Sequence, residues 1–88
     1  MKDETLKRTR KRIDALDEEL LRVLSKRFEI VREIRDLKKA TGLPPLDPKR
    51  WDEVVEARLT LAKELGLPQG FTKQFLDLIH KRSLEIEN

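Results

Sequence analysis

Arg27 and Lys38 stand in the sequence where a leucine or valine is expected. From Ile13 onward apolar residues recur at three- and four-residue steps, through Leu16, Leu20, Leu24, Val31 and Ile34. Arg27 fills the step between Leu24 and Val31, and Lys38 fills the step after Ile34. A cation on a core-facing stripe is costly unless something anionic meets it. At their separation on one helix, the two lie within about 20° of each other around the axis and about 16 Å apart along it. That spacing suits a grip on two ends of a small polyanion lying along the helix. Each cation also has a plainer explanation. An arginine can snorkel outward or meet an acid across an interface, and a lysine near a helix C-terminus complements the dipole.

Further along, Arg50 falls in the first turn of a second helix, where a cation is electrostatically unfavourable. Either function or a local pair with Asp47 accounts for it. Ser83 and Glu87 lie one turn apart on a third helix, a hydroxyl and a carboxylate on one face that are also common on plain surfaces. The basic run Lys7, Arg8, Arg10, Lys11, Arg12 spreads around its helix, lacks interleaved aromatics and is followed at once by acids. It therefore argues against a nucleic-acid partner. His80 has no metal-ligand partners at suitable spacing, so a surface or interface role is expected for it and no metal site is expected. No Gly-rich phosphate loop, Ser-His-Asp set or carboxylate dyad stands out, which leaves conventional nucleophilic or acid–base chemistry with little support.

The elements that position these residues are all helical. About Thr5 to Ala40 contains neither Gly nor Pro and keeps the 3.6-residue period, with Glu18–Arg22 and Asp36–Lys39 as supporting pairs on exposed faces. Thr41-Gly42 followed by Leu43-Pro44-Pro45 is a firm stop. Asp47-Pro48 reads as an N-cap with proline at the first helical position. The second helix is expected to turn Trp51, Val54, Val55, Leu59, Ala62 and Leu65 inward and to end at Gly66. Pro68 to Gly70 begin a third, whose inward residues are Phe71, Phe75, Leu76, Ile79 and Ile86. At 1.5 Å per residue the first helix is roughly 50–55 Å long, about twice either of the others. An apolar stripe of that length calls for a partner. A dimer of paired long helices, with the shorter ones wrapped around them, is the economical arrangement.

Composition fits this picture. Eighty-eight residues read as one all-α domain spanning 1–88, small enough that a monomeric core is marginal and oligomerisation a natural remedy. Hydrophobic residues make up 38% and charged residues 42%, which suits thin helical layers with solvated outer faces. Cys is absent, so disulfides and thiol chemistry are excluded. With no long apolar run and no signal-like N-terminus, a soluble, cytoplasmic protein without membrane partners is expected. The net charge of +3 favours anionic partners only weakly.

Taken in order, the motifs resemble the all-helical chorismate mutases over nearly the whole chain. The pattern runs Leu6-x3-Arg10-x2-Ile13-Asp14-x2-Asp17-x2-Leu20-Leu21, then Leu24-x2-Arg27, Ile34-x3-Lys38, Asp47-Pro48-x-Arg50, and Phe75-x3-Ile79-x3-Ser83-x3-Glu87. Any one of these is weak, whereas their order and spacing together are fairly specific. The resemblance implies three helices per chain, one very long, in an intertwined homodimer that converts chorismate to prephenate without cofactor or metal. It implies that Arg27 and Arg10 bind the two carboxylates, Arg10 coming from the partner chain. Geometry favours the same division, because Arg10 and Arg27 are about 25 Å apart along one helix, too far for a small ligand. The implied reaction is a unimolecular pericyclic rearrangement. The enolpyruvyl ether is held in a compact, chair-like conformer, and donors face the ether oxygen as charge develops there. By resemblance Lys38 and residue 87 are those donors, and Arg50, Asp47 and Ser83 complete the pocket.

Two positions depart from the family pattern. Many members carry glutamine where Glu87 stands, and a carboxyl donates only when protonated. Burial would favour the protonated form and a nearby Lys38 the carboxylate. The expectation is activity that increases towards acidic pH. Glu87 is also the penultimate residue, where fraying is expected, as in a domain excised from a longer chain. At Trp51 many members have a glutamate that holds the ring hydroxyl. Trp51 is expected as core on the second helix, or as an indole N–H lining the pocket, and hydroxyl recognition changes either way. Two rivals follow: an isochorismate pyruvate-lyase on the same fold, and a non-catalytic helical module for regulation or dimerisation.

Overall fold

The computed structural model describes residues 2–88, with Lys2 described by its backbone alone. The element order is α1 (Lys2–Thr41), α2 (Pro48–Glu64) and α3 (Gln69–Glu87), and the described residues contain no strand. The first helix starts earlier than its apolar period suggests. Asp3 and Glu4 in its first turn and Lys38 and Lys39 in its last complement the helix dipole.

Both inter-helix stops are built locally. Gly42 and Gly66 adopt φ 75°, the left-handed conformation that glycine reaches without a Cβ penalty. After each, the next residue reaches back: Leu43 N–H donates to the Lys38 carbonyl at 2.9 Å and Leu67 N–H to the Ala62 carbonyl at 2.8 Å. At Gly66 the second bond of the motif is also present, from its N–H to the Lys63 carbonyl at 3.2 Å. The start of α2 is as its sequence suggests. Asp47, extended at φ −126°, accepts the Arg50 backbone N–H on its side chain, and proline opens the helix. Pro68 precedes α3 without a side-chain cap. Thr72 and Gln69 serve that end instead: Thr72 donates to the Pro68 carbonyl at 2.8 Å, and Gln69 Nε2 latches onto the Leu59 carbonyl of α2 at 3.0 Å.

The chain divides into two units, the stretch of α1 up to Ile30 and Val31–Asn88. In the first, the apolar residues are uncovered: Ile13, Leu16, Leu20, Leu21, Val23 and Ile30 are all more than half exposed. Glu18 and Arg22 form the expected i,i+4 pair at 3.7 Å on a solvated face, a contact of small energy. In the second unit α2 and α3 pack on one another. Val31, Ala62, Thr72 and Ser83 are buried there, and Val54, Val55, Leu59, Leu76, Ile79 and Ile86 are half-buried.

Three inward assignments are corrected. Leu65 is 65% exposed and Phe71 61%, while Phe75 is exposed at the margin. Leu65 caps the end of α2, beyond the turn that α3 covers. Phe71 and Phe75 stack on each other instead, ring centroids 6.3 Å apart. The buried places on α3 go to the small hydroxyl residues Thr72 and Ser83, which let the helices approach closely. Asp36 pairs with Arg35 at 3.1 Å, where a pair with Lys39 was expected.

Candidate functional site

The cation of α1's last turn and the carboxylate of α3's last turn meet. Lys38 Nζ lies 2.9 Å from Glu87 Oε1, with side-chain exposures of 22% and 9%. The same ammonium donates to the Pro45 carbonyl at 2.6 Å, which ties the α1–α2 loop to the site. Glu87 Oε1 is buried with no hydrogen-bond partner among the described residues. The ion pair is therefore close in distance but off the direction a hydrogen bond needs. A buried oxygen with unused acceptor capacity beside a lysine already shared with a carbonyl is an under-satisfied polar cluster, and such clusters are costly unless something completes them. Glu87 is the last residue of α3, and the Asn88 N–H bonds back to the Leu84 carbonyl at 3.0 Å.

Ser83, one turn before Glu87, is buried at 5% exposure, and its hydroxyl donates to the Ile79 carbonyl at 2.9 Å. Asp47 is committed to capping, and its contact with Arg50 runs through the arginine's backbone N–H at 3.1 Å. Arg50 itself is exposed on the first turn of α2. Trp51 is half-buried, and it stacks on His80 with ring centroids 3.7 Å apart and planes 8° from parallel. The second unit thus holds Lys38, Asp47, Arg50, Trp51, Ser83 and Glu87. Arg10 and Arg27 belong to the first, and both are exposed along α1. Among the described residues no group of three or more His, Asp or Glu side chains is arranged to hold a metal ion.

Sequence reasoning missed three features here: the Pro45 carbonyl on Lys38, the burial of Thr72, and the place of His80. Of these, His80 carried a signal. It precedes Glu87 by two helical turns and so shares a stripe with Ser83 and Glu87.

A three-helix chain in which the last turn of α1, the loop after it and the last turn of α3 meet at a little-exposed lysine–carboxylate pair is a helical domain with a polar cluster at that point. The comparisons place it further. Residues 9–88 match the family described as chorismate mutase type II, and the chain belongs to that family. It is 34% identical over 79 residues to a T-protein from Enterobacter agglomerans, covering 90% of this chain and 21% of that protein. A bifunctional chorismate mutase/prephenate dehydratase from Aquifex aeolicus is 42% identical over 62 residues, 70% of this chain and 17% of that protein. A chorismate mutase from Methanocaldococcus jannaschii is 24% identical over 84 residues, covering 93% of this chain and 85% of that one. The chain therefore spans about a fifth of the T-protein's length and most of the length of the archaeal chorismate mutase. No helix among the described residues is long and apolar enough to cross a membrane.

Proposed function

We propose that this chain is a chorismate mutase, an isomerase that rearranges chorismate to prephenate in the cytoplasm as a homodimer. The observation that carries the reading is the Lys38–Glu87 pair at 2.9 Å, little exposed and incompletely hydrogen-bonded, in a chain of the chorismate mutase type II family. The reaction breaks one carbon–oxygen bond and forms one carbon–carbon bond within a single molecule, so it needs no nucleophile, metal or redox partner. What it needs is a folded-up substrate conformer and donors at the ether oxygen, where negative charge grows in the transition state.

Lys38 supplies one donor from its ammonium. Glu87 supplies the second when protonated, since a carboxylate only accepts. Arg27 binds one substrate carboxylate, and Arg10 from the partner chain binds the other. Guanidinium groups suit this task because they present paired donors to a planar carboxylate. Arg50, Asp47 and Ser83 line the remainder, and Trp51 takes the place where many family members hold the ring hydroxyl with glutamate. The preorganised cations need no rearrangement as charge develops, which makes them worth more than the same groups in water.

The test is loss of chorismate absorbance followed at two pH values, with prephenate identified as product. Turnover that disappears in Lys38→Ala and Arg27→Ala, with helical content unchanged, supports the proposal. Production of pyruvate and salicylate from isochorismate, without prephenate formation from chorismate, assigns the lyase activity instead. Absence of both activities in the folded dimer leaves a non-catalytic helical module.

A further inference from the structure

Resting on that reading of the site, we propose that His80 is a positioning residue. Through its stack on Trp51 it fixes the first turn of α2, and with it Arg50, against the α3 stripe that carries Ser83 and Glu87. The first turn of α2 is otherwise held by few side-chain bonds. Its cap is a single side-chain acceptor, Asp47 Oδ1 at 3.1 Å from the Arg50 N–H, and Arg50 itself is exposed. Trp51 is the adjoining residue, and its indole lies nearly parallel to the His80 ring, 8° between planes and 3.7 Å between centroids. Both rings are half-buried, and the contact joins α2 to α3 directly. His80 in turn sits within α3, two turns from Glu87 and one from Ser83, both with little exposure.

A stack is a suitable device for this. It orients an aromatic plane as well as filling space, so one ring sets the rotamer of the other, and the backbone bearing Arg50 follows. An aliphatic residue at position 80 would fill volume without setting the plane of the indole. The stack therefore affects how well Arg50 meets an anionic substrate, and leaves the donors at Lys38 and Glu87 in place.

Two independent readouts test this. Trp51 is the sole tryptophan of the chain, so its emission and its quenching by acrylamide report on the stack whatever the protein's activity. In His80→Ala the indole loses its cover: emission shifts to the red and quenching increases. In His80→Phe, which keeps a planar ring, both stay near the parent values. In the mutase assay His80→Ala raises KM by about three- to tenfold with kcat within about twofold, and His80→Phe restores KM. Far-UV circular dichroism and thermal unfolding confirm that both variants fold. Unchanged emission and quenching in His80→Ala would show that the stack is not formed in solution and overturn the proposal. Altered emission with unchanged KM would overturn the positioning role while leaving the site assignment intact. If the parent has no turnover, the mutase reading fails, and the fluorescence arm still decides whether the stack exists.

Discussion

The two units of this chain differ in how far they meet their own polar needs, while both leave apolar residues uncovered. In Val31–Asn88 α2 packs on α3, Ser83 and Thr72 hydrogen-bond within their helix turns, and Lys38 finds both a carbonyl and a carboxylate, although Leu37, Leu65, Phe71 and Leu78 stay more than half exposed. The stretch up to Ile30 leaves a row of leucines and isoleucines in solvent, Leu16 at 62% and Leu21 at 64% among them. Soluble chains seldom leave so long a row bare. The same stretch carries Arg10 and Arg27, the two guanidinium groups proposed for the carboxylates. The lesson is one of division: six of the proposed site residues (Lys38, Asp47, Arg50, Trp51, Ser83 and Glu87) lie in one unit, and the two proposed carboxylate binders lie in the other.

The sharpest way to break this comparison is to charge the uncovered row. Leu16→Glu with Leu20→Glu is expected to yield a monomer by analytical ultracentrifugation and to remove measurable turnover, because Arg10 no longer reaches a neighbouring site. A dimer with full activity would refute the division. Next in size, Lys38→Ala lowers kcat by about 10²–10³-fold, the scale of losing one oxyanion donor, with the oligomeric state unchanged by sedimentation. The third concerns protons. Because a carboxyl donates only when protonated, the parent's rate is expected to rise towards acidic pH. Glu87→Gln donates at any ordinary pH, so its profile is flat. A parent rate independent of pH defeats this assignment.

Smaller effects sharpen the contrast between self-sufficient and dependent regions. Asp47→Ala removes the cap of α2 and costs about 1 kcal/mol, seen as a drop of roughly 4–8 °C in Tm. Glu18→Ala, on a pair exposed by more than two-thirds on each side, changes stability by less than about 0.5 kcal/mol.

Much of the fold was legible because its signals are local. Gly42, Gly66, Asp47 and Pro48 mark helix ends by their own backbone preferences, and the structure places the ends there. Lys38 and Glu87 were legible as candidates from their faces and family spacing, although only the three-dimensional path of the loop shows that Pro45 shares the lysine. What escaped was what depends on the neighbouring helix. Leu65, Phe71 and Phe75 have the right period for a core, but α2 and α3 do not cover those positions. The inner places go to Thr72 and Ser83, whose hydroxyls return to the carbonyls one turn back and so hide their polarity. His80 was set aside because it lacks metal partners, whereas its role comes from a flat face and from the indole that happens to stand opposite.

The two left-handed glycines have a final consequence. A methyl group added at either would touch nothing within 4 Å, so the loss on substitution by alanine is purely conformational, about 1–2 kcal/mol. Helix termination is thereby written into residues that consult no neighbour. The lengths of α1 and α2 are thus set by their own residues rather than by what packs against their ends.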